Sequence, residues 1–174
     1  MRSNKKKIFI ILISLITLSI LGCTNNSPYT LTDNEKIAKE DIESRGYKFI
    51  KSKGEIDKYI LDKTKICGGT ETIPYQQIWG VQSIKPDEYF EKEITTYEFI
   101  VNNHPLQEQD NNAKNGVQLY YMFADGKIIG GYSYPNKDVV GAISSLDGKT
   151  LEEVTGLDFS EWTEEWNDRY SKNR

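Results

Sequence analysis

The sequence predicts an α+β fold: an antiparallel sheet of about four or five strands packed against helices near the N- and C-terminal ends. Three observations lead there. Val117 to Phe123 and Lys127 to Tyr134 are runs rich in β-branched and aromatic residues, joined through Asp125-Gly126, a pair that supplies the positive backbone angles of a tight hairpin turn. Thr32-Asp33-Asn34-Glu35 and Thr150-Leu151-Glu152-Glu153 both have capping-box spacing, in which the Thr hydroxyl and the Glu carboxylate satisfy each other's free backbone donors. Trp162, Trp166 and Tyr170 recur every four residues and so share one face of a C-terminal helix. The expected arrangement is that of cystatin-like or protease-propeptide-like modules. Both helices then cover one face of the sheet, and the other face is open to a partner.

Residues 1–22 read as an export signal. Arg2, Lys5, Lys6 and Lys7 precede an apolar run from Ile8 to Leu21 broken only by Ser14, Thr17 and Ser19, which is the basic-then-apolar plan of a signal peptide. The run falls short of the roughly 20 residues a permanent membrane helix needs, so it reads as a transient signal. At its end, Ile20-Leu21-Gly22-Cys23 resembles the lipobox of bacterial lipoproteins, in which the cysteine thiol is diacylated and the chain is then cut before it. That resemblance makes Cys23 the lipidation site and the first mature residue, held on the extracytoplasmic face of the cell membrane. Two acyl chains anchor stably where one is marginal, because each buried methylene adds about 0.8 kcal/mol.

Residues 23–31 then form the lipidated N-terminus and a polar tether, and 32–174 a single domain. Thr24 to Thr30 spans roughly 20–25 Å when extended at about 3.3 Å per residue. The helix opened by Thr32 runs to Ser44 or Arg45, where Gly46 stops it, and offers only Ile37, Ala38 and Ile42 as an apolar face. Tyr47 to Ser52 reads as a strand, Lys53-Gly54 as a turn and Ile56 to Leu61 as the return strand of a hairpin. The alternative is a helix over Glu55 to Lys65, with Ile56, Tyr59, Ile60 and Lys63 on one face. Thr64 can cap a short turn of helix that Gly68-Gly69 interrupts. Pro74 to Val81 is compact and aromatic without a clear period.

Ile94 to Val101 reads as a well-buried strand. Asn102 to Gly116, with Pro105 and Asp110-Asn111-Asn112, reads as an exposed loop. Gly130-Gly131 inside the return strand of the central hairpin marks a bulge or a close backbone approach. The helix opened by Thr150 ends near Gly156, and Ser160 can cap the last one.

The chain has 22 Lys and Arg against 26 Asp and Glu. Four of the basic residues and none of the acids precede Cys23, so the remaining 152 residues hold 18 basic and 26 acidic side chains, a formal charge of −8. That length suffices for one domain with a real core. The acidity argues against nucleic acid as a partner and against lying flat on an anionic membrane, since both need clustered Lys and Arg. With Cys23 lipidated, Cys67 is the one remaining thiol and no internal disulfide can form. A lone Cys in Ile66-Cys67-Gly68-Gly69 is ordinarily a small buried hydrophobe; intermolecular pairing or a reactive thiol are the alternatives.

The motifs that carry chemistry fall away on inspection. Gly148-Lys149-Thr150 resembles the end of a phosphate loop, but Ile143 stands where that pattern requires Gly. Gly131-Tyr132-Ser133-Tyr134-Pro135 lacks the final Gly of the serine-hydrolase elbow and leaves a strand without entering a helix. His104 is the only histidine, so no metal set is implied, and a Cys67/His104 dyad is the one nucleophile and base pairing left open. Asp110, Asn112 and Gly116 do not have calcium-loop spacing. No cofactor is expected. Tyr120, Tyr132 and Tyr134 lie on adjacent hairpin strands, so some face away from the core, and with Trp79 they are the candidate partner-binding residues.

Trp79-Gly80-Val81-Gln82, Asn103-His104-Pro105-Leu106, the segment from Asp125 to Ser133 and the segment from Leu146 to Glu153 are phrases of a known kind. Through them, most of residues 32–170 resembles a family of small lipoproteins of Gram-positive, often spore-forming bacteria with a C-terminal domain of unassigned function. The resemblance implies no reaction and no catalytic residue. The expected function is a lipid-anchored extracytoplasmic binding or interaction module, envelope- or sporulation-related, with an envelope protein as partner. An enzyme with a cryptic Cys/His site, and an inhibitor or chaperone-like partner of an exported protein, are the alternatives.

Overall fold

Thr32 opens the domain. Its backbone N–H donates to the Glu35 carboxylate at 2.7 Å and its hydroxyl accepts from Glu35 N–H, the reciprocal box expected at the start of α1 (Asp33–Ser44). The computed structural model describes residues 29–109, 113, 115–135 and 142–171. The export signal, the lipobox and Cys23 lie outside the described residues, as do Asp110, Asn111 and Asn112. Contacts divide the chain into Met1–Thr30 and Leu31–Arg174, and the fold is that of the second unit.

After Gly46, at φ +80°, the chain enters β1 (Lys48–Ile60), one continuous strand where a hairpin was expected. Gly54 does have a positive φ, +84°, but it stays in register opposite Glu98. The angle is absorbed by a bulge, because the long, buried β2 (Glu93–Asn102) offers pairing along the whole length of β1. The register slips three times, leaving Ile50, Lys53 and Ile56 without partners, one extra residue every three positions.

Asp62, and not Thr64, caps α2 (Lys63–Ile66): its carboxylate accepts from Lys65 N–H at 2.9 Å and from the Thr64 hydroxyl at 2.6 Å. The segment without a clear period is α3 (Ile73–Gly80), with proline in its first turn, where no intrahelical donor is needed. A 3-10 turn over Pro86–Tyr89 leads into β2. A short helix α4 (Leu106–Gln109) then precedes the hairpin of β3 (Val117–Ala124) and β4 (Lys127–Pro135), with Asp125 at φ +52° and Gly126 at +71° in the turn as expected.

The bulge expected at Gly130-Gly131 falls one residue earlier: Ile129 is the extra residue, between the Phe123–Ile128 and Met122–Gly130 pairs, and both glycines stay in register. Another chain segment also passes close, since Gly131 N–H donates to Gln82 Oε1 at 2.8 Å. A two-residue β5 (Ser144–Ser145) completes a five-stranded antiparallel sheet in the order β1-β2-β3-β4-β5. The capping box at Thr150 opens α5 (Leu151–Thr155), which ends at Gly156. The last helix, α6 (Phe159–Tyr170), is capped by Asp158, two residues before the expected Ser160, with Glu161 completing a third capping box.

The two long helices lie on opposite faces of the sheet, which corrects the expectation of an open face. Side chains alternate along a strand, and Tyr97, Phe99, Leu119, Tyr121 and Phe123 point one way to enclose Ala38 and Ile42 of α1. Ile94, Met122 and Tyr132 point the other way, toward Trp162, Trp166 and Tyr170 of α6. Every residue of β2 from Ile94 to Val101 is therefore buried. Each helix is also pinned by polar contacts. Tyr121 O–H donates to Asp41 of α1 at 2.7 Å, and Trp166 Nε1–H donates to the Ile66 carbonyl at 2.8 Å.

Candidate functional site: the tyrosine face around Glu98

Gly54 of β1, Glu98 of β2, Tyr120 of β3 and Tyr132 of β4 stand in one row across the sheet. Tyr134, two residues beyond Tyr132, shares their face. The structure thus brings together three of the four residues expected to meet a partner. The Tyr120 and Tyr132 rings stack with centroids 4.5 Å apart and planes 4° from parallel, and Tyr134 stands edge-on to both at 5.8 Å. Such ring pairs are worth about 0.5–1.5 kcal/mol beyond the area they bury. Tyr132 therefore covers one face of Tyr120.

Glu98 was not anticipated. The signal was present as the single acid inside the apolar run Ile94 to Val101. Its side chain is only 10% exposed, and Lys53 Nζ lies 2.6 Å from Oε1. That contact is one of charge and proximity: among the described residues no hydrogen bond of suitable direction reaches Oε1. Lys53 comes from the central bulge of β1 and keeps 39% of its side chain exposed. Gly54, directly opposite Glu98, carries no side chain.

Burial pushes the Tyr120 phenol well above the ordinary tyrosine range, with Glu98 and Tyr134 adding to it. Burial also raises Tyr132, helped by the neighbouring phenols and Asp57, and burial alone raises Tyr134. All three remain neutral O–H groups in ordinary conditions. None of these hydroxyls has a hydrogen-bond partner among the described residues. Tyr120 and Tyr134 are half-buried, so each presents an edge to solvent.

Trp79 and Tyr132 are corrections. Trp79 is 1% exposed and donates from Nε1 to Tyr59 O–H at 3.1 Å, while Tyr132 is buried against the α6 side of the sheet. Both are packing residues, and a partner can touch neither directly. Tyr59 in turn packs edge-on against Tyr75 at 4.8 Å, with Lys65 4.1 Å above the Tyr75 ring.

The remaining candidates are dispersed. Cys67 is buried, as expected of a small hydrophobe, and its thiol donates to the Thr64 carbonyl at 3.1 Å. It lies beside Ile66 on the α6 side of the sheet, whereas His104 sits on the α1 side against Tyr47. The dyad is therefore not assembled. Ser133 is fully buried and donates to the Ser145 carbonyl. Among the described residues no group of three or more His, Cys, Asp or Glu side chains is placed to hold a metal ion. Nor is any helix there long and apolar enough to cross a membrane.

His104, expected in an exposed loop, is 2% exposed. Its Nδ1 accepts from Leu106 N–H at 3.2 Å, which assigns the proton to Nε2, donating to the Leu146 carbonyl at 2.9 Å. The ring ties α4 to the turn after β5. Burial lowers its pKa below the usual 6.5, against a smaller opposing pull from the Leu146 carbonyl and Asp147. The native state thus favours neutral His104. Its contribution is fully present above about pH 6.5 and is lost as pH falls from there toward the lowered native value. The expected result is a thermal midpoint that drops on acidification through this window in the wild type and drops less in His104→Gln. Parallel pH profiles of the two proteins would remove His104 from the account.

A cleft of about 410 Å³ opens beside Gly130 and Gly131, bordered by Gln82, Arg45, Ser145 and Asp147. Its arginine is already engaged, with Arg45 paired to Asp41 at 2.6 Å and to Asp147 at 2.7 Å. No protein-family model, curated protein or solved structure matches the chain.

Proposed function

We propose that the chain is a lipid-anchored extracytoplasmic binding module, fastened through Cys23 and presenting the half-buried tyrosines beside Glu98 to a partner in the cell envelope. The observation that carries this reading is the order of residues at the N-terminus: four basic side chains, the apolar run to Leu21, then Gly22-Cys23. Diacylation of that thiol supplies a stable anchor, and a polar tether of roughly 20–25 Å at about 3.3 Å per residue keeps the domain near the membrane. The acidic domain is then held by its lipid and repelled by anionic headgroups. Phenol groups without hydrogen-bond partners among the described residues, on half-buried rings, support a recognition role for Tyr120 and Tyr134.

Cys23→Ala is the test. It is expected to abolish lipid labelling and to move the protein from the membrane fraction to the medium or to an uncleaved precursor. An unchanged membrane fraction, or mass spectrometry showing an unmodified mature cysteine, overturns the anchor.

A further inference from the structure

We infer that the apolar pocket where the end of α3 meets α5 and the start of α6 docks a cationic segment of a partner polypeptide. The segment seats one bulky apolar side chain in the pocket and lays its lysines or arginines along α6. The pocket, about 320 Å³ and open to solvent on one side, is walled by Val81, Ile143, Leu151, Phe159 and Trp162. Trp162 is held firmly, because its ring lies against Gly80, where an added methyl group would collide with it. Its indole N–H has no partner among the described residues, whereas Trp79 and Trp166 both donate to one. Phe159, with its ring centre 6.0 Å from that of Trp162, is 62% exposed. An exposed ring beside open apolar walls is surface that the domain's own folding leaves uncovered, the usual mark of an interaction site.

Charge selects the occupant. Residues 150–168 contain seven acids and no lysine or arginine. Glu152 borders the pocket, and Glu164 borders a shallow groove that shares Phe159 with it and is lined also by Thr163 and Asn167. Glu152, Glu164 and Glu165 are exposed, and none pairs with a base among the described residues. The one base of α6, Arg169, is bound to Asp87 at 2.9 Å. A second copy of the chain would set these acids against the same acids, and an anionic bilayer would repel them. A peptide whose apolar anchor is flanked by lysine or arginine complements both the pocket and its rim. The open side lets a single side chain enter while the backbone that carries it stays outside. This surface is separate from the tyrosine face, and the inference uses neither Tyr120 nor Tyr134.

The test is titration of the full chain with the peptide acetyl-Lys-Lys-Phe-Lys-Lys-amide, followed through the tryptophan indole N–H resonances. The Trp162 resonance is expected to move to saturation while that of Trp79 stays in place. Replacing the Phe of the peptide by Ala should weaken binding about tenfold or more, since the ring no longer leaves water. Phe159→Ala, at an exposed ring, should weaken it about fivefold with the thermal midpoint unchanged. Glu164→Gln combined with Glu165→Gln should weaken it and reduce its dependence on salt.

A Trp162 resonance that stays still, or equal binding of the Ala peptide, overturns the pocket as the site. Equal binding of a peptide with Gln in place of every Lys overturns the cationic partner. A concentration-dependent dimer that Phe159→Ala abolishes makes a second copy the occupant and overturns the proposal. Movement of the Trp162 resonance on adding phosphatidylcholine vesicles in place of the peptide does the same in favour of a lipid surface. Loss of Cys23 anchoring leaves these outcomes untouched, and their failure leaves the anchor and the tyrosine face standing.

Discussion

Trp79→Ala is expected to destabilise the domain by about 3–5 kcal/mol, the usual cost of removing a fully buried large aromatic side chain. Trp79 packs 6.2 Å from Tyr89 and belongs to the cluster that joins α3 to α6. Its removal opens a cavity and takes away the indole donor that bonds Tyr59. Against a total stability of about 5–15 kcal/mol for a domain of this kind, such a loss is large. Urea unfolding measures it through a lower midpoint at unchanged slope. Tyr134→Ala, at a half-buried ring, should cost clearly less. If Trp79→Ala left the unfolding midpoint in place and weakened partner capture, the core assignment would be wrong.

Gly131→Ala should cost about 1–3 kcal/mol or more, as overpacking of a tight interior does. A methyl group there would run into the backbone carbonyl of Tyr120 and come within 2.8 Å of a Leu146 methyl. The backbone carbonyl cannot rotate aside as a side chain would, so β3 and β4 must separate locally and the Gly131 bond to Gln82 is strained with them. Gly46→Ala is the control. Nothing lies within 4 Å of a methyl group at Gly46, and only its φ of +80° is penalised, at roughly 1–2 kcal/mol. Equal losses at the two positions, measured by thermal unfolding, would contradict the close approach.

Local chemistry made much of this fold readable from the chain. Asp125-Gly126 announces its turn, and the boxes at Thr32 and Thr150 announce their helices, because each signal is complete within four residues. Gly54 misled for the same reason. Its positive angle was read as a turn, but a ten-residue buried partner strand determined that the chain should continue and bulge. His104 and the sidedness of the helices were hidden because they depend on contacts across the fold, such as His104 with Leu146 and Tyr121 with Asp41. At the site, the sequence supplied the tyrosines but not which of them the helices cover. Glu98 was visible as a misplaced acid, and only the register with Gly54 and Tyr120 gives it a surrounding.

The repeated slips of β1 have a consequence for molecules gathered at high density. A straight rim of thirteen residues would be a template on which a second copy could zip its own strand. Extra residues at Ile50, Lys53 and Ile56 break that template into pieces of two to four, too short and too twisted to be copied. If the chain is anchored as proposed, crowding in two dimensions would then concentrate these domains without driving them into fibrils.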